Sequence, residues 1–154
     1  MKNVIVLVVF VLGCLTVGAV SGVATTGGLK EWYPALIKPS FNPPNWIFGP
    51  VWSLLYGMMG VSLFLVWKKV GFSLLPFSVF FIQITLNFFW SFLFFKFHLL
   101  GWSLVEIVVL WAFILLTIIV FYKISHVAAY LLVPYLLWVS FATLLNATFF
   151  RLNG

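Results

Sequence analysis

The sequence predicts an all-α integral membrane protein, a bundle of five transmembrane helices with an ordered first loop acting as a lid. Three observations carry that prediction. Five apolar runs, at residues 4–24, 46–67, 74–95, 99–122 and 127–150, account for most of the 154 residues. A bilayer core of about 30 Å needs about 20 apolar residues in a helix, and each run supplies them. The runs are continuous rather than alternating, so helices, not barrel strands, satisfy the backbone inside lipid. The composition, 65% hydrophobic and 6% charged, presents more apolar surface than a water-soluble fold of this size covers. Five spans leave only short loops, so residues 1–154 read as a single domain.

The first run begins after Lys2 and contains Ala19-Val20-Ser21, which resembles a signal-peptide cleavage site. Its apolar stretch is longer than a signal core of about 7–15 residues, so a retained helix is expected. Thr25-Thr26-Gly27-Gly28 is expected to break that helix. The connection that follows carries Trp32-Tyr33-Pro34 and Lys38-Pro39-Ser40-Phe41-Asn42-Pro43-Pro44. Prolines at this density stiffen a loop. Its aromatics suit a lid at headgroup level rather than a passive linker.

The second run places Trp52 and Tyr56 on one face, bordered by Gly49, Gly57 and Gly60. Bulky rings beside glycines leave space next to the rings, although for the pair taken alone aromatic packing is the better reading. The third run carries Gln83, Asn87 and Ser91 at i, i+4, i+8, with Trp90 alongside. That spacing puts three polar groups on one face, which must point into the bundle or a cavity. Hydrogen bonding between helices and lining of a ligand site are both open for this face. The fourth run holds Glu106, the only acidic residue within a span. A structural role is expected for it, through interfacial water or a basic flank such as Lys96. The fifth run opens after Ser125, a candidate N-cap, and carries Pro134, Tyr135, Trp138, Ala142 and Asn146. A proline followed by aromatic and then small residues suits the wall of a flat pocket, and equally suits ordinary membrane packing.

Other chemistry is poorly supported. The net charge of +6 comes from basic residues scattered near helix ends, which fits lipid flanks and not nucleic acid. Lys2, Lys68, Lys69 and Lys123 lie on one side, and Lys30, Lys38, Lys96 and Arg151 on the other, so orientation is tied. Cys14 is the sole cysteine, and His98 and His126 stand alone, so no metal site is expected. There is no nucleophile triad, phosphate loop or carboxylate pair. Gly18 and Gly22 form a GxxxG, a weak signal for helix–helix association and a dimer.

Taken together, these residues resemble the TspO/MBR family, the tryptophan-rich sensory and translocator proteins. The resemblance rests on Trp32-Tyr33, Lys38-Pro39-Ser40-Phe41-Asn42-Pro43-Pro44, Trp46, and Pro50-Val51-Trp52 to Tyr56-Gly57. It continues through Asn87-Phe88-Phe89-Trp90-Ser91, Gly101-Trp102-Ser103-Leu104-Val105-Glu106, Val133-Pro134-Tyr135-Leu136-Leu137-Trp138, Phe141-Ala142-Thr143, and Leu145-Asn146 before Arg151. It covers nearly the whole chain.

The resemblance implies a five-helix bundle, commonly a homodimer, that binds porphyrins such as protoporphyrin IX and benzodiazepine-site ligands within the membrane. By position, Tyr33, Pro43, Trp52, Tyr56, Asn87, Trp90, Trp138 and Ala142 match the ligand-binding residues. Trp52 and Trp138 match the tryptophans tied to light- and oxygen-dependent porphyrin breakdown. No cofactor is required on this reading; porphyrin is the ligand or substrate. Animal members carry a sterol motif centred on a Tyr, where this chain has Ala147. That departure counts against sterol binding and leaves porphyrin binding untouched. The implied function is a porphyrin-binding receptor or sensor, with a transporter of porphyrin or another small hydrophobe as the alternative. The implied location is a bacterial cell membrane.

Overall fold

The computed structural model describes residues 2–154. Five helices are long and apolar enough to cross a membrane: α1 (Lys2–Glu31), α2 (Phe48–Val70), α3 (Leu74–Ser91, with a five-residue π-helical turn to Lys96), α4 (Leu100–Tyr122) and α5 (His126–Asn153). No strand occurs among the described residues.

The helices close into a ring. α1 packs on α2, α2 on α5, α5 on α4, α4 on α3, and the end of α3 returns to α1. α2 and α3, though consecutive, barely touch. Space is thereby left between α1, α2 and α3, where a cleft opens.

Two close approaches set the position of α1. A methyl group on Gly60 would meet the α1 backbone at Val11, and one on Gly28 would meet the backbone of Phe95. Small residues let membrane helices touch backbone to backbone, which maximises dispersion contact where no hydrophobic effect operates. Gly28 also explains why α1 outruns its predicted end. Thr25-Thr26-Gly27-Gly28 does not break the helix, which continues to Glu31. Thr25 donates to the carbonyl of Ser21 at 3.2 Å and Thr26 to that of Val23 at 3.1 Å. In an apolar setting a broken turn would strand backbone polar groups, so the helix persists despite poor helix formers.

The short connections follow their local chemistry. Gly71 ends α2 at φ 66°, ψ −152°, a region essentially reserved for glycine. Ser125 caps α5 as expected, accepting from the Ala128 N–H. Between α3 and α4 the backbone takes a positive φ of 58° at His98. The His98 ring stacks on Trp32 with centroids 4.3 Å apart.

The first loop is packed. Tyr33, 1% exposed, sits in a short 3-10 turn (Tyr33–Ala35) against Phe94, Phe95 and Phe149. Its hydroxyl donates to Asn42 across the loop. Ile37 is tied at both N–H and C=O to the side chain of Asn153 at the end of α5, at 2.8 and 3.1 Å. Ile37, Phe41 and Trp46 are the loop's exposed large apolar side chains, Trp46 the most so at 73%, where lipid headgroups would lie.

Candidate ligand site

The bundle centre is polar. Tyr56 donates to Asn87 Oδ1 at 3.0 Å, Asn87 Nδ2 donates to the Tyr135 hydroxyl at 2.6 Å, and Tyr135 donates to Gln83 Oε1 at 2.9 Å. One direction of donation runs through all four residues and joins α2, α3 and α5. A second relay lies nearer the lid, where Trp90 donates to Asn146 at 3.1 Å and Asn146 donates to the Leu100 carbonyl at 3.1 Å. The i, i+4, i+8 face of α3 therefore has two jobs. Gln83 is spent on joining helices, whereas Asn87 and Ser91 also border open space. Asn87 keeps one amide proton and one lone pair outside these two bonds.

That space is a cleft of about 620 Å³ between α1, α2 and α3. Gly18, Gly22, Thr25 and Leu29 form its α1 wall, Gly49, Trp52, Ser53 and Tyr56 its α2 wall, and Asn45 and Trp46 its rim. Its volume falls within the range of about 300–1,000 Å³ usual for small-molecule sites. All its polar groups are neutral. Only Phe48 and Trp52 border both this cleft and a second, inner chamber.

The inner chamber is lined by Tyr33, Trp52, Trp90, Trp138, Ala142, Asn146 and neighbouring phenylalanines. Its free volume is about 20 Å³, room for a single water. The sequence-derived residues thus fall into two groups with Trp52 between them. Tyr56 and Asn87 face the cleft; Tyr33, Trp90, Trp138 and Ala142 face the closed chamber. Pro43 lines neither, and its carbonyl accepts from the Asn42 side chain at 3.2 Å.

Two further residues depart from expectation. Gly18 is not free for a partner helix, because a methyl group there would collide with the Tyr56 ring. Gly18 of the GxxxG thus lets α1 approach α2 at Tyr56, while Gly22 borders the cleft. Glu106 pairs with no basic flank; both carboxylate oxygens are buried without a hydrogen-bond partner. The α1 wall is not among the residues that the sequence points to. Its signal was available in Gly18, Gly22 and Thr25, one face of one helix, but that face reads equally well as a dimer contact.

Tyr33 lies outside the spans, and burial pushes its phenol up to about 12, with the bond to Asn42 opposing the rise. The hydroxyl therefore stays a donor throughout the neutral range, and the loop remains latched.

The TspO/MBR family model matches residues 10–152. The chain belongs to the TspO/MBR family. It is 44% identical to the tryptophan-rich protein TspO of Chlorobaculum tepidum, over 99% of this chain and 98% of that protein. It is 40% identical to the TspO of Archaeoglobus fulgidus, over 99% of each. The human translocator protein matches at 40% identity over 82% of this chain and 76% of its own length. As a TspO/MBR protein with five apolar helices, the chain is an integral membrane protein. Within this TspO/MBR bundle Trp52 stands between the open cleft and the closed chamber.

Proposed function

We propose that this protein is a membrane receptor or sensor for porphyrins and related planar hydrophobic molecules, acting in a bacterial cell membrane. The observation that carries the reading is the 620 Å³ cleft walled by Trp52 and Tyr56 and floored by Asn87 and Ser91. Aromatic faces hold a flat ring system by stacking, and neutral hydrogen-bonding groups orient it. No charged side chain lines the cleft, so the porphyrin enters ring first and leaves its carboxylates at the rim, by Asn45 and Trp46. Rotation of Trp52 would join the cleft to the inner chamber and bring Trp90 and Trp138 to the ligand. Light- and oxygen-dependent loss of the porphyrin, on this reading, is chemistry of the ligand's excited state with dioxygen. The protein holds the plate and offers an oxidisable indole at Trp52. Benzodiazepine-site ligands would compete for the same cleft, and a homodimer would form through outer faces of the bundle.

The experiment is a titration of the purified protein with protoporphyrin IX in the dark, followed by illumination in air. Saturable dark binding with quenching of tryptophan fluorescence is expected. Binding without loss of the porphyrin spectrum under light would make the protein a receptor and remove the degradation step. Absence of saturable binding would overturn the reading.

A further inference from the structure

A second large hollow, of about 750 Å³, lies along α1 on the side away from Trp52. One wall is α1 from Thr16 to Glu31, lined largely by small residues such as Ala19, Ala24 and Gly27. The other is the π-helical end of α3, with Phe92, Phe95 and Lys96, and then His98. At 1.5 Å per residue the α1 wall is about 22 Å long. That exceeds half of the roughly 30 Å hydrocarbon layer, so the groove reaches from the membrane interior to the headgroup zone. Its charged groups gather at that outer end. The Lys96 ammonium lies 5.5 Å over the Phe92 ring, which holds it beside the groove. Lys96 and His98 are exposed there, with Glu31 the one acidic group among the lining residues.

We propose that this groove is a binding site for one anionic phospholipid, its acyl chain along the small-residue wall of α1 and its phosphate at Lys96 with His98 beside it. The shape argues for lipid over a second copy of the chain. A two-fold contact sets a surface against itself, and two concave grooves face to face would enclose an empty space. A flexible chain fills such a groove. The position of the cation argues for an anionic headgroup, since a lysine at the interfacial end of an apolar groove attracts phosphate within a Debye length. The groove shares only Ala19 with the cleft at Trp52, and the proposal does not depend on what binds there.

The test uses the full chain purified from bilayers containing equal amounts of phosphatidylglycerol and phosphatidylcholine with the same acyl chains. Retained lipids are counted by native mass spectrometry. The parent protein is expected to keep one lipid, predominantly phosphatidylglycerol. Lys96→Gln should lower retention several-fold and abolish the preference. Gly27→Phe should abolish retention, because a side chain at Gly27 meets nothing within 4 Å and so projects into the open groove. Gly13→Phe, equally unobstructed but outside the groove, should behave as the parent does. Equal retention in the parent, Lys96→Gln and Gly27→Phe would overturn the proposal, as would a parent that keeps no lipid. A change of subunit number in Gly27→Phe with lipid retention unchanged would assign the face to a second copy instead. Should Gly27→Phe fail to fold, Lys96→Gln decides alone.

Discussion

Trp52 and Trp138 are alike in chemistry and unlike in place. Trp52 walls the open cleft, whereas Trp138 borders only the closed chamber. Replacement of either by Phe keeps an apolar ring, so porphyrin affinity should fall by about 1–2 kcal/mol at most. Phe is much harder to oxidise than Trp, so light-driven loss per bound porphyrin should fall far more. The geometry adds an order: Trp52→Phe should exceed Trp138→Phe in both measurements, titrated in the dark and then illuminated. Unchanged degradation in both variants would make the tryptophans packing residues. Glu106 lines neither cavity, and its carboxylate has no partner to lose. Glu106→Gln should therefore melt at or above the parent temperature in detergent, with porphyrin affinity within a few-fold. A drop of about 3 °C, roughly 1 kcal/mol for a chain of this size, would reveal a partner made only in the membrane. Tyr33 makes a pH prediction. Its phenol is held above the ordinary value of 10 to about 12 in the folded protein. The folded state binds the proton more tightly, so stability from this group is complete below pH 10 and is lost as pH rises toward 12. Tyr33→Phe should remove that alkaline component of a melting curve measured across pH 9–12.

At the level of helices, the apolar runs were legible because lipid leaves the backbone no alternative. The same rule hid the end of α1, where soluble-protein punctuation at Thr25-Thr26-Gly27-Gly28 was overridden by the cost of unbonded backbone. The glycines separate cleanly by what lies opposite them. Gly18→Ala should push against the Tyr56 ring and disturb the donor relay through Asn87, whereas Gly22→Ala meets nothing within 4 Å. Gly18→Ala should thus lower the melting temperature, while Gly22→Ala should hold or raise it, since Ala favours helix by about 1 kcal/mol. Equal effects would mean that α1 and α2 are not in this register. The Gly18–Tyr56 contact was invisible in sequence because GxxxG says that something approaches closely and never what.

Across the whole molecule, the five-helix bundle was readable from the length and apolarity of the runs, and the resemblance named aromatics that line two hollows. Their division between an open cleft and a closed chamber was not readable, because it depends on how Phe48 and Trp52 sit between the two, which no pattern encodes. The tie between Ile37 and Asn153 spans 116 positions of the chain. A chain is made from its N-terminal end, and helices enter the bilayer in that order. The first loop therefore emerges early and must wait for the final turn of the last helix before its anchor exists. Until then Tyr33 has no Phe149 to pack on, and the aromatic interior stands open to lipid and water. Sealing is the closing event of assembly, and a nascent chain paused before α5 would offer its tryptophans to any flat molecule dissolved in the membrane.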